Sequence, residues 1–320
     1  MRQFLDELKP ELSTVNELIM QRMRSQVPLV EEIGEYLVAA GGKRLRPILV
    51  LLSGFSCNYR DQSLYELAAV IEFLHTATLL HDDVIDVSEL RRGRPTANAN
   101  WGNASSILVG DFLYSRAFQM LVSLGDIKIM DILSNATNLI AEGEVLQLTK
   151  AGDPATSEAE YLSVIEYKTA TLFAAAAQTG AVLAGADHAH EQALRRYGLN
   201  MGMAFQLMDD VLDYRGDAAS LGKNVGDDLA EGKPTLPLIE TMRCADTAAR
   251  ELVQQAIIEK SSEQLPAIVV AVEGSGALDF TVRRAEDYAK LARKALIELP
   301  NSAVKAQLDT LSEVAVRRNA

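Results

Sequence analysis

Two cysteines in 320 residues leave little sulfur chemistry to consider. Cys57 and Cys244 lie far apart, and neither belongs to a Cys-x-x-Cys or mixed Cys/His pattern, which argues against a zinc site and a disulfide framework. Positive charge is scarce as well: 31 Lys+Arg against 44 Asp+Glu give a net charge of -13. No broad basic face for nucleic acid or an acidic membrane is expected, so an anionic ligand would need a local cationic cluster. Long apolar runs are missing too. The most apolar, LFAAAAQTGAVLAGA at 172–186, falls short of the roughly 20 residues that span a bilayer and is interrupted by Gln178 and Thr179. It reads as a helix buried by close packing, and no integral membrane segment is expected. The N-terminal MRQFLDELKPELSTVNEL lacks the continuous apolar core of a signal peptide, which makes a cytoplasmic location the default. There is no Gly-x-x-x-x-Gly-Lys-Ser/Thr phosphate loop, and no sustained strand-type alternation.

What remains is helical. Ile129, Ile132, Leu133, Ala136, Leu139, Ile140 and Gly143 step by three and four, as do Val282, Ala285, Tyr288, Ala289, Ala292, Ala295 and Leu296. Pro28, Pro47, Pro154, Pro266 and Pro300 fall between such runs, where they start or stop helices. About eleven to fourteen helices are expected. No low-complexity linker, charge block or fixed-period repeat divides residues 1–320, so the chain reads as a single all-α domain, a helical bundle. The one stretch of functional loop length is 216–237, GDAASLGKNVGDDLAEGKPTLP.

Chemistry concentrates in LLHDDVIDVSELRRGRPTAN, residues 79–98. Asp82 and Asp86 are four apart, so on a helix they share a face about 6 Å apart along the axis, with Asp83 swung round by about 100 degrees. The same face runs back through Thr78, Ile71 and Leu67, with His75 beside it. Alone, an Asp-Asp-x-x-Asp is equally well a solvated helix end. The spacing recurs, however, in FQLMDDVLDY, as Asp209, Asp210 and Asp213, on a face running back through Gln206, Gly202 and Leu199. Six converging carboxylates repel and raise one another's pKa values, so something positive belongs between them. With oxygen ligands only, the hard ion Mg²⁺ fits best, since it keeps several waters and takes a few carboxylates plus substrate phosphates.

Cations cluster nearby in sequence. GGKRLRP, residues 41–47, carries Lys43, Arg44 and Arg46; the opening motif adds Arg91 and Arg92; YKTATLF adds Lys168 with Thr169; and the long loop adds Lys223 and Lys233 among Asp227 and Asp228. Each lies beside Gly, Thr or Asp of the kind that holds phosphate oxygens, and arginine pairs suit bidentate phosphate contacts. On this reading the arginines need not neutralise the aspartates directly; both groups grip one anion. His75 is either a phosphate donor or a satisfied core histidine. His188 and His190 read as loop residues.

These five motifs, in this order and spacing over nearly the whole chain, resemble the trans-isoprenyl diphosphate synthases, and most closely their long-chain bacterial members. The resemblance implies an all-α bundle around a deep central cavity, usually in a homodimer. It implies that Asp82, Asp86 and Asp209 hold Mg²⁺, with three ions when diphosphate is bound, helped by Asp83, Asp210, Asp213 and one of Asp227 and Asp228. Arg91, Lys168, Thr169, Gln206, Lys223 and Lys233 would hold the allylic diphosphate, such as farnesyl diphosphate. Lys43, Arg46, His75 and Arg92 would hold isopentenyl diphosphate. The implied chemistry is ionisation of the allylic diphosphate and attack by the isopentenyl double bond, which needs no protein nucleophile. The missing Ser/His/Asp and Cys/His constellations agree with that.

Product length is read from the helix before the first motif. Thr78 lies one turn below the carboxylates, Ile71 continues the face, and Leu74 and Ala77 flank it. Short-chain members often carry aromatics four and five positions before the first aspartate, whereas Ala77 and Thr78 are small. A long product is expected, eight isoprene units by overall likeness, for quinone side chains. The alternatives are a geranylgeranyl or other shorter-chain synthase, a non-catalytic partner subunit, which should have lost motifs that this chain keeps, and a terpene cyclase, against which Lys43, Arg46 and Arg92 speak.

Overall fold

Apolar residues spaced by three and four give each helix one face to bury, and burial of those faces against one another builds the molecule. The computed structural model describes residues 6–215 and 226–316. Its first helices are α1 (Lys9–Arg22), α2 (Pro28–Ala39), α3 (Leu45–Ser56) and α4 (Gln62–Ile85). A two-residue antiparallel hairpin, β1 (Leu90–Arg91) and β2 (Arg94–Pro95), leads to α5 (Ala97–Trp101), α6 (Asn103–Leu124), α7 (Ile127–Lys150) and α8 (Glu158–Ile165). A π-helical turn, Glu166–Ala170, runs into α9 (Thr171–Leu183), followed by the long α10 (His188–Arg215). The rest is α11 (Asp227–Ala230), α12 (Leu236–Cys244), α13 (Thr247–Glu259), α14 (Leu265–Gly274), α15 (Ala277–Ala295), a 3₁₀ turn at Leu296–Glu298 and α16 (Ala303–Val316).

That makes sixteen α-helices among the described residues, more than the periodicity indicated. The excess lies in elements such as α5 and α11, five and four residues long, too short to show a period. Helix starts follow local chemistry. Pro28 opens α2, and Asp61, Asp126 and Asp246 accept backbone N–H groups at the starts of α4, α7 and α13. Ser157 and Glu160 cap α8 reciprocally. Each side-chain cap of this kind contributes about 1 kcal/mol.

The centre is built from α3, α4, α9 and α10. Nearly every residue of α3 from Leu45 to Phe55 is buried, as expected of a helix apolar all round. The alanine-rich 172–186 segment packs between α3 and α10, as its composition implied. A Cβ on Gly180 would lie 2.5 Å from the Val50 carbonyl oxygen, and one on Gly202 would lie 2.6 Å from the Ala170 Cα. Any side chain at either position would push the helices apart. Across this layer α4 packs on α3 and α6, with Leu67, Ile71 and Leu74 buried, each contributing about 1.5–3 kcal/mol. A second cluster, including Leu229, Leu238, Val253, Ile257, Ile268 and Val272, joins α11–α15 to the end of α10 at Tyr214.

Two described helices, α4 and α6, are long and apolar enough to cross a membrane by length and composition. Neither was singled out by the continuous-run criterion, because polar residues break both runs. In α4 those residues include Glu66, Glu72, His75, His81, Asp82 and Asp83, and Glu72, His75 and Asp82 face the cavity described next.

Candidate active site

A cavity of about 700 Å³ opens between α4, the hairpin, α7, α8 and α10. One helical face of α4 lines it through Glu72, His75, Thr78, Leu79, Asp82 and Asp86. The facing wall comes from Phe205, Gln206, Asp209, Asp210 and Leu212 of α10. Asp82, Asp86 and Asp209 therefore look into the same space from two helices. Burial raises the Asp82 carboxyl to about 7, with Glu144 and Asp86 adding to the shift and Lys168 opposing it. The first motif also lies at the C-terminus of α4, where the backbone carbonyls carry partial negative charge. The local field thus favours a cation.

The six carboxylates do not converge on one point, contrary to the sequence reading. Among the described residues no three Asp, Glu, His or Cys side chains come close enough to hold an ion by themselves. Asp83 turns away from the cavity and is buried against the hairpin, where Arg91 Nε and an Arg91 terminal nitrogen reach its Oδ1 at 2.7 and 2.6 Å. Direct neutralisation, which the sequence did not require, does occur for this pair. A buried carboxylate without a cation would be too costly, and Arg91 supplies one. Burial nevertheless leaves the Asp83 carboxyl above the usual range. Asp213 is also fully buried and off the cavity, and the chain returns over it, Gly226 N–H donating to the Asp213 carbonyl at 3.3 Å.

The cations divide into two groups. Lys168 Nζ donates to Glu144 and Gln147 of α7 at 2.7 and 2.8 Å, and Lys233 donates to Asp86 at 3.0 Å and pairs with Glu231. Burial, opposed by Lys233, raises the Glu231 carboxyl to about 7. The second group surrounds His75. Burial first, then the charges of Arg46, Arg92, Arg91 and Arg44, hold its pKa well below the usual imidazole value. Its Nε2 lies 3.1 Å from an Arg46 terminal nitrogen, and a guanidinium only donates, so the neutral ring accepts there and carries its proton on Nδ1. Arg46 also lies 4.3 Å above the Phe173 ring.

Backbone conformation sets this second group. Arg92 and Gly93 both have positive φ, 56° and 73°, as a two-residue hairpin turn requires, and this sends Arg91 and Arg92 different ways. Arg91 reaches Asp83. Arg92 packs on Gly42, where a Cβ would lie 2.7 Å from its movable guanidinium, and the φ of 147° at this second glycine of GGKRLRP is one that other residues rarely adopt. Arg44, at φ 49°, starts α3 and makes a buried ion pair with Glu72.

Of the other expected residues, Lys43, Thr169 and Asp228 line the cavity. Thr169 donates to Gln206 at 3.0 Å, and Gln206 and Tyr161 donate to Asp210 at 2.8 and 2.5 Å. Burial and the nearby Asp228 push the Asp210 carboxyl well up. Asp227 does not line the cavity, and Lys223 lies outside the described residues. Of the four product-length residues Thr78 faces the cavity, while Ile71, Leu74 and Ala77 are buried in the core around it. The sequence reading missed Glu72, Glu144, Gln147 and Tyr161. For Glu144 and Gln147 a signal existed: the apolar face through Leu133, Ala136 and Ile140 runs on into them, as the α4 face runs into its aspartates.

Residues 27–272 match the family model for polyprenyl synthetase. The chain belongs to the polyprenyl synthetase family. The prenyltransferase class and the all-α fold expected from its motifs are those of this family. It is 46% identical over 320 residues to an octaprenyl diphosphate synthase of Haemophilus influenzae, covering 98% of this chain and 97% of that one. A crystal structure of a polyprenyl synthase from Caulobacter crescentus CB15, complexed with calcium and isoprenyl diphosphate, is 45% identical, with a TM-score of 0.96, covering 100% of this chain and 98% of that one. A decaprenyl diphosphate synthase structure from Rhodobacter capsulatus is 44% identical, with a TM-score of 0.91 and 98% of each chain covered.

Proposed function

We propose that this polyprenyl synthetase is a long-chain trans-polyprenyl diphosphate synthase that adds isopentenyl diphosphate to an allylic primer such as farnesyl diphosphate. The observation that carries it is the shared cavity: Asp82 and Asp86 from one helix and Asp209 from another, with lysines beside the carboxylates and arginines around a neutral His75. An all-oxygen donor set too open to enclose a bare ion fits Mg²⁺ completed by diphosphate oxygens and water. Asp82, Asp86 and Asp209 would hold it, and when bound it supplies positive charge against the departing diphosphate.

The chain's own residues do the rest. Lys168 and Lys233 hold the allylic diphosphate, and Arg46, Arg92, Lys43 and His75 hold isopentenyl diphosphate beside it. As the allylic carbon–oxygen bond breaks, the isopentenyl double bond attacks C1, and the proton lost from the adduct passes to the released diphosphate. Leu79, Val164, Ile165, Phe205 and Leu212 line the cavity with hydrocarbon and keep water from the cation. No side chain is needed as nucleophile.

The octaprenyl product, its use in quinone side chains, three metal ions and a cytoplasmic site of action are the finer parts of this proposal, as is the reading of the chain as one domain. A homodimer belongs with them: the consecutive helices α6 and α7 expose Ile107, Leu108, Val122, Val145 and Leu148, a natural face for a second copy. Radiolabelled isopentenyl diphosphate with farnesyl diphosphate and Mg²⁺, followed by chromatography of the products, tests the activity and the chain length together. Absence of a metal-dependent polyprenyl product would remove the proposal.

A further inference from the structure

Lys168 sits in the π-helical turn, whose extra residue brings both Lys168 and Thr169 to the cavity. That turn lies hard against α7, since a Cβ on Gly143 would fall 2.7 Å from the Lys168 backbone nitrogen. The next residue, Glu144, accepts from Lys168 Nζ at 2.7 Å, and Gln147, one turn on, accepts at 2.8 Å. The three side chains line the cavity, and the ion pair is only 18% and 19% exposed. An ammonium has three donors. Two point to α7, which leaves one for a ligand.

We propose that Glu144 and Gln147 are positioning residues for Lys168, fixing its ammonium on the cavity wall so that the allylic diphosphate meets a preset charge. The proposal rests on reading the cavity as a prenyl diphosphate site. Lysine carries much rotamer freedom, and immobilising it before the ligand arrives removes that cost from binding. The division of labour also makes chemical sense. Glu144 supplies a charge-assisted hydrogen bond, while Gln147 supplies a second acceptor without adding another negative charge beside Asp82, Asp86 and Asp209. A Glu144 that merely happened to be near would act in the opposite direction: it would offset the Lys168 charge and compete with the diphosphate for its ammonium, and its removal would tighten binding.

Steady-state kinetics with Mg²⁺, farnesyl diphosphate and radiolabelled isopentenyl diphosphate separate the two accounts. Glu144→Ala and Gln147→Ala should each raise the KM for farnesyl diphosphate by about tenfold while leaving that for isopentenyl diphosphate within about twofold. Glu144→Gln, which keeps an acceptor oxygen, should fall between wild type and Glu144→Ala. In a Lys168→Ala background, Glu144→Ala should add nothing further, because it acts through the missing ammonium. Circular dichroism and the thermal midpoint are read on every variant, and if Glu144→Ala does not fold, Glu144→Gln and Gln147→Ala carry the comparison. An unchanged or lowered farnesyl diphosphate KM, an equal rise for both substrates, or an additive loss on top of Lys168→Ala overturns the proposal. A wild-type protein that makes no metal-dependent product overturns the functional reading itself, and the proposal with it.

Discussion

The two aspartate motifs have the same spacing and different surroundings. In the first, Asp82 and Asp86 face the cavity and Asp83 is turned back to hold the Arg91 hairpin. In the second, Asp209 and Asp210 face it, Asp210 is tied to Tyr161 and Gln206, and Asp213 is closed off where Gly226 returns over the helix. Helix periodicity fixes which carboxylates share a face, but whatever packs on the back and end of each helix decides what each one does. The first motif spends its middle aspartate on architecture; the second keeps its middle aspartate at the cavity.

The largest effect should come from the positions where the motifs agree. Asp82→Ala or Asp209→Ala should each lower turnover by about a hundredfold to a thousandfold, with helical circular dichroism unchanged; a variant with near-wild-type turnover would break the equivalence of the two fronts. Next comes the front face one turn before Asp82. Thr78→Phe should place a ring in the cavity and shorten the main product on chromatography, whereas Ala77→Tyr, at a fully buried site, should overpack the core and lower the thermal midpoint. The same long product from a folded Thr78→Phe protein would place the product tail elsewhere. The back of the first motif should answer in stability. Asp83→Asn removes the charge that faces Arg91 and should cost about 1–3 kcal/mol in urea unfolding, toward the low end because Arg91 is 36% exposed and the amide oxygen still accepts from it.

The same burial implies a pH dependence of stability. Asp82 and Glu231 hold their protons in the folded protein up to about 7, against ordinary values of 3.8 and 4.5. Between those limits the unfolded chain has released protons that the folded chain keeps, so stability falls as pH rises from about 4 through 7. Thermal midpoints of the protein without added divalent ion should fall over that range, and Asp82→Asn should flatten the fall. A midpoint that climbs through the same window, and is not altered by Asp82→Asn, would contradict the burial assigned to Asp82.

Much of this was legible in the sequence because it depends on periodicity. The α4 face from His75 to Asp86, the α10 face from Gln206 to Asp209, and the buried alanine-rich helix all follow from residue spacing and side-chain size. What was not legible depends on contacts between segments distant in sequence. Nothing in LRRGRP announces a hairpin of two-residue strands whose turn parts Arg91 from Arg92, and nothing in IEFLH alone pairs Glu72 with Arg44. Lys168 could be assigned to a phosphate from its motif, but its partners Glu144 and Gln147 sit on another helix, and only the packing of the π-helical turn on Gly143 brings them together.

On the proposed function, the two motifs grip one diphosphate through the Mg²⁺ bound between them. Calorimetric titration of farnesyl diphosphate into the protein, with and without Mg²⁺, reads that dependence. Tight binding should require Mg²⁺, fall sharply in Asp82→Ala and in Asp209→Ala, and fall little further in the double variant, because each substitution already dismantles the same bridge. Binding of equal strength without Mg²⁺, or losses in the two single variants that simply add in the double, would mean that the motifs serve separate ligands.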